Sequence, residues 1–196
     1  MFYKIAEKIT DKYARENLFK EEDKEIYVFG LNQMITYITN MFTILILGII
    51  FGEVFESIVY TVTFMLLRTY AGGYHAPTPR KCYLVTIIAL LLTLSIIKWF
   101  EMSDVICLII IIISGMIILF LAPVSCENKE LDSVEKVIYR KKVYLVWGIE
   151  FCIGILLLML EYTTISKSIM MAHLTVCIAL TLETAKKKNK KDMITL

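Results

Sequence analysis

The sequence predicts an all-α, polytopic integral membrane protein with six transmembrane helices and an N-terminal interfacial amphipathic helix. Three observations carry this. Of the 196 residues 58% are hydrophobic and 20% charged, against about 45–50% and roughly 25% in an ordinary soluble domain. The apolar residues arrive in long blocks with charges pushed between them, giving a mean hydropathy of +0.68. The basic residues, finally, gather on alternate connections between those blocks. Five cysteines, most of them inside apolar runs, do not make a secreted disulfide scaffold. With 21 basic residues nearly cancelled by 19 acidic ones, charge alone does not suit nucleic-acid binding.

At the start, Phe2, Ile5, Ala6, Ile9 and Tyr13 follow helical spacing while Lys4, Lys8, Lys12 and Arg15 take other positions. Met1–Asn17 therefore reads as a helix lying on the anionic inner leaflet. The alternative is a solvated helix packed on the cytoplasmic loops. No removable signal peptide is expected in so charged a segment. Leu31–Phe51 is an uncharged run of 21 residues, enough to cross a core about 30 Å thick. Val54–Leu67 has 14 residues with Glu56 inside and spans only about 21 Å as a helix. Cys82–Ile97 gives 16, Val105–Cys126 gives 22, Val143–Leu160 gives 18 with Glu150 inside, and Ser168–Leu182 gives 15. Lipid leaves no backbone partner, so all six runs should be helices. One membrane domain, 1–196, results: an interfacial segment 1–25, a six-helix core 26–182 and a basic tail 183–196.

The charges test the count. Six Lys and Arg precede the first run, three lie between the second and third, five between the fourth and fifth, and five follow the sixth. Only Lys98 and Lys167 remain for the other side. Nineteen against two is a strong positive-inside bias and places both termini in the cytoplasm.

One cytoplasmic loop carries residues suited to catalysis: Arg68-Thr69-Tyr70-Ala71-Gly72-Gly73-Tyr74-His75-Ala76-Pro77-Thr78-Pro79-Arg80-Lys81-Cys82. Thr78-Pro79 is a helix start, threonine as N-cap and proline at the first helical position. Cys82 then sits about one turn in, where the helix's positive end and two neighbouring cations favour a thiolate. His75 could accept the thiol proton. Gly72-Gly73 permits unusual dihedrals or close approach to a substrate, and its amides could serve an oxyanion. Arg68 could bind a substrate carboxylate, fix the loop by hydrogen bonds, or act as an inside-positive charge. No paired ligand motif at zinc spacing accompanies His75, so no metal or other cofactor is expected.

This stretch, GGYHAP with a cysteine seven residues after the histidine, resembles the accessory gene regulator protein B (AgrB) family. The charged amphipathic N-terminus, the six runs and the Ala122-Pro123 step into a basic linker with Asn128-Lys129 extend the resemblance over nearly the whole chain. It implies a membrane cysteine endopeptidase of Gram-positive quorum sensing, in the cell membrane and acting as a homodimer. Such an enzyme cuts the C-terminal tail from an AgrD-like propeptide and helps form a cyclic autoinducing peptide. By the same resemblance His75 and Cys82 are the catalytic pair, and Arg68 and Gly73 are functionally important.

Other residues read more plainly. Glu150, inside the fifth run, could orient His75 or pair near the cytoplasmic face close to Lys142. Cys107, Cys152 and Cys177 read as core filler, Cys126 as a free linker thiol, and His173 as a packed side chain with one hydrogen bond. The rival reading is a small peptide transporter, against which no inverted repeat or broken-helix pair is visible.

Overall fold

The computed structural model describes residues 2–15, 19–74, 76, 78–125 and 131–194. Seven α-helices lie among them: α1 (Tyr3–Arg15), α2 (Lys24–Phe51), α3 (Val54–Ala71), α4 (Pro79–Trp99), α5 (Asp104–Leu121), α6 (Ser133–Met159) and α7 (Thr163–Ile194). Five of them, α2, α4, α5, α6 and the Thr163–Lys188 part of α7, are long and apolar enough to cross a membrane. The outer surface they present is apolar, with Phe42, Ile49, Leu92, Phe120 and Met159 all exposed, as a lipid solvent requires.

Several boundaries depart from the apolar runs, and local chemistry explains them. Helix α3 does not stop at Leu67 but continues to Ala71, so its 18 residues reach about 27 Å. Arg68 thus belongs to the last turn of α3 rather than to the loop. Even so α3 is not among the five, carrying Glu56 in its first turn and Arg68 in its last. Helix α6 begins ten residues before its apolar run. Asp132 caps it, accepting from the Glu135 N–H while the Glu135 side chain accepts from the Asp132 N–H. Lys136, Arg140, Lys141 and Lys142 are therefore helical rather than part of a linker. Helix α5 ends at Leu121, ahead of Ala122-Pro123, since the residue before a proline disfavours the helical region. Cys126, Asn128 and Lys129 lie outside the described residues.

Helix α1 runs antiparallel along the start of α2. The N–H of Phe2, just before α1, donates to Asn32 Oδ1 at 3.1 Å, and Asp11 pairs with Lys24 at 2.6 Å. Ala6 and Thr10 are buried, and so is Val28 of α2. Ile5, Ile9 and Tyr13 remain exposed.

Helix α7 is the hub, packing on α3 and α5 above all and also on α6 and α4. That explains why the least apolar of the five spans is also the most buried. In lipid, helices associate through small residues and hydrogen bonds rather than by excluding water. Accordingly Ser166, Ser168 and Ala172 are fully buried, Ser166 donates to the Gly154 carbonyl at 3.1 Å, and Tyr60 donates to Thr175 at 3.2 Å. Two apolar clusters follow α7. One is built around Tyr60, Leu90, Ile111 and Met170, the other around Leu67, Ala71, Ile118, Val143 and Leu180.

The bundle has two distinct ends. At one, Lys98 donates to the Phe51 carbonyl, Thr163 to Asp104 at 3.1 Å and Lys167 to the Phe100 carbonyl at 3.3 Å. The two lysines set apart by the charge count thus share one end. At the other end Arg140 donates to the Ala122 carbonyl at 3.3 Å and Lys142 stands over the Tyr70 ring, 4.9 Å from its centroid. Gly72, Gly73 and Tyr74 belong to this second end.

Candidate active site

The loop is shaped by the end of α3. Its helix closes with the Gly72 N–H donating to the Arg68 carbonyl at 3.1 Å, and both glycines then take positive φ, 72° and 111°. Any other residue would be strained there. A Cβ on Gly72 would also run into the Val124 carbonyl, and one on Gly73 would lie 3.0 Å from the Ala179 backbone.

Three strands of contact hold the segment. The Val124 N–H donates to the Ala71 carbonyl at 2.9 Å and the Gly73 N–H to the Val124 carbonyl at 3.3 Å. The Tyr74 N–H donates to the Ala179 carbonyl of α7 at 2.8 Å. Finally the half-buried Arg68 guanidinium reaches over the turn, donating from Nη1 to the Gly72 carbonyl and from Nη2 to the Tyr74 carbonyl. Both Gly72 and Gly73 amides are therefore engaged within the fold. The oxyanion role open to them on sequence grounds is not one they can fill here, because closing the helix and bridging to Val124 uses their hydrogens.

Helix α4 starts as the sequence implies. Thr78 is the N-cap, its hydroxyl accepting from the Lys81 N–H at 3.3 Å, with Pro79 at the first helical position. The Cys82 N–H donates to the Thr78 carbonyl at 3.0 Å, placing Cys82 in the first turn. It is a free, exposed cysteine. His75 and Pro77 lie outside the described residues, so the structure places the loop up to Tyr74 and again from Thr78, with Ala76 between.

Other expectations are revised. Cys107 and Cys177 are buried, but Cys152 is exposed on α6 rather than being core filler. Glu150 does not snorkel toward Lys142. It is buried and meets the fully buried His173 at 2.9 Å. Glu183, just past the sixth apolar run, was not singled out by sequence. It is 2% exposed, one turn beyond the Ala179 carbonyl that holds Tyr74. A polar residue beyond the end of an apolar run carries no burial signal of its own, so only the packing of α7 reveals it.

Arg68 supplies a prediction. Lysine keeps the charge but offers one compact ammonium in place of a planar fork, so Arg68→Lys should leave one of the two carbonyls unheld. A misplacement of order 1 Å in a loop of this kind costs about 10²-fold in rate. Any activity that depends on this loop should fall by about that factor while helical content by circular dichroism stays constant.

The chain matches the family model described as Accessory gene regulator B over residues 5–182. It is 29% identical over 149 residues to a putative AgrB-like protein 2 of Clostridium perfringens (strain 13 / Type A), covering 72% of this chain and 70% of that one. A putative AgrB-like protein of Clostridium perfringens (strain SM101 / Type A) is 27% identical over 88% of this chain and 86% of its own. The accessory gene regulator protein B of Staphylococcus aureus (strain Newman) is 32% identical over 90 residues, 46% of this chain and about half the length of that relative, at 47%. No solved structure matches. A match that begins in α1, ends in α7 and has the Arg68–Cys82 segment within it makes this chain a member of the accessory gene regulator B family.

Proposed function

We propose that the chain is a membrane cysteine endopeptidase of a quorum-sensing system. It removes the C-terminal tail of an AgrD-like propeptide and passes the remaining acyl group to a thiol of the same peptide. In this reading α3 is the sixth crossing, both termini are cytoplasmic, α1 rests at the inner leaflet and the enzyme works as a homodimer. The observation that carries it is Cys82, a free thiol exposed in the first turn of a helix. Gly72 and Tyr74, just before His75 in the chain, are held by the Arg68 guanidinium and the Ala179 carbonyl.

His75 takes the proton of Cys82, whose sulfur attacks the scissile carbonyl. The protonated imidazole then gives that proton to the departing amine, the tail leaves, and the peptide remains as a thioester on Cys82. A thioester keeps the acyl group activated. A thiol within the bound peptide can displace Cys82 with little change in free energy, forming a ring thioester and returning Cys82 as a thiol. Water attacking instead would give a linear acid.

Mass spectrometry of the reaction in neutral nanodiscs tests this. The expected products are a released tail, an adduct of the peptide's N-terminal part on Cys82, and a cyclic product one water lighter than the linear acid. A linear product alone would leave a peptidase without acyl transfer. A dependence on sealed vesicles, with no cleaved bond, would favour the transporter reading.

A further inference from the structure

The first turn of α4 has a neighbour besides the loop. The start of α1 lies across from it, and an open cleft of about 750 Å³ between the two is lined by residues 2–5 and 78–81. Its chemistry is one-sided. Phe2, Ile5 and Pro79 supply apolar surface, and Lys4, Arg80 and Lys81 supply three cations. No aspartate or glutamate lines it, and none of the three cations forms an ion pair among the described residues. Further along α1 the pattern differs, since Asp11 there is paired with Lys24 at 2.6 Å. The contact of Phe2 with Asn32 and the burial of Ala6 and Thr10 hold this wall in place.

The cleft is also next to the nucleophile of the proposed reaction. Lys81 immediately precedes Cys82, and consecutive Cα atoms are about 3.8 Å apart. The residues that line the α4 side are those immediately before Cys82, so a peptide held there lies beside the helical turn that carries the nucleophile. We propose that this cleft is the subsite for a carboxylate-bearing segment of the peptide substrate, with Lys4 on one wall and Arg80 and Lys81 on the other. The proposal rests on the peptidase reading and adds to it a role for α1, which becomes part of the substrate site rather than a membrane anchor alone. Apolar side chains of the same segment would rest on Phe2, Ile5 and Pro79.

Binding can be measured without catalysis. Fluorescence anisotropy would follow a fluorescein-labelled, glutamate-rich peptide and its glutamine counterpart on the full-length Cys82→Ala protein in phosphatidylcholine nanodiscs. Exposed charge pairs are individually weak and are screened by salt, so the glutamate peptide should bind about tenfold tighter at low salt and lose that margin at high salt. Lys4→Gln, far in sequence from Cys82, should erase several-fold of the margin and leave the glutamine peptide unaffected. The same loss in Lys12→Gln, on α1 but outside the cleft, would overturn the proposal, as would equal binding of the two peptides. A margin that appears only when anionic lipid is present would assign the cleft to lipid headgroups and overturn it too. Failure of the peptidase reading would show differently, as a glutamate preference in a protein that never cleaves.

Discussion

Replacement of Cys82 by alanine is expected to stop release of the peptide tail, by at least about 10⁴-fold, while leaving the protein folded. The two halves of this expectation come from the same observation. Cys82 is exposed in the first turn of α4 and its backbone, not its sulfur, makes the local contact with Thr78. Exposed substitutions away from special features change stability by about 0.5 kcal/mol or less. Serine at this position should do little better than alanine, since its hydroxyl is a far weaker nucleophile and an ester is a poorer acyl donor than a thioester. His75→Ala should cost about 10²–10⁴-fold, the usual range for losing a general acid–base. Cys152 provides the control. It too is exposed, yet it lies within α6, and Cys152→Ala should cleave normally. Wild-type rates from Cys82→Ala would end the peptidase reading.

The helices were legible because their determinants are written locally. An apolar run in lipid has one backbone solution, and Thr78-Pro79 specifies a helix start from two adjacent residues. Boundaries were harder, since they depend on which residues beyond a run still prefer the helix. The Asp132–Glu135 capping box carries α6 through a basic stretch, and only Gly72 stops α3. A hydropathy pattern registers neither.

The loop shows the same division. Its reactive residues could be picked out by type and spacing, but their supports could not. Ala179 offers a carbonyl, which any residue carries, and it comes from the far end of the chain. Val124 acts in the same way. Arg68 had three roles open to it by sequence, and only the direction of its guanidinium, over the Gly72 and Tyr74 carbonyls, distinguishes the loop-holding one. The glycine amides were misread for a related reason. A Gly-Gly pair announces unusual dihedrals but not which acceptors its hydrogens find.

The buried pair of Glu150 and His173 should dominate stability. The two side chains are 6% and 0% exposed and meet at 2.9 Å, joining α6 to the central α7. Glu150 Oε1 and His173 Nδ1 have no partner among the described residues, so the contact between them is the principal compensation for burying both. Removing one member leaves the polar atoms of the other buried without a partner. His173→Leu should therefore destabilise the protein by about 3–5 kcal/mol, whereas replacing both with leucine should recover most of that loss. Glu150→Gln, which keeps a hydrogen-bonding group opposite the ring, should cost only about 0.5–1.5 kcal/mol. Denaturant titration in mixed micelles would compare the four proteins. Tail release separates this structural role from a catalytic one. If Glu150 serves His173 rather than His75, Glu150→Gln should retain a release rate within a few-fold of wild type at temperatures where it remains folded. A loss of about 10²-fold or more in a stably folded Glu150→Gln protein would instead make Glu150 part of the catalytic apparatus.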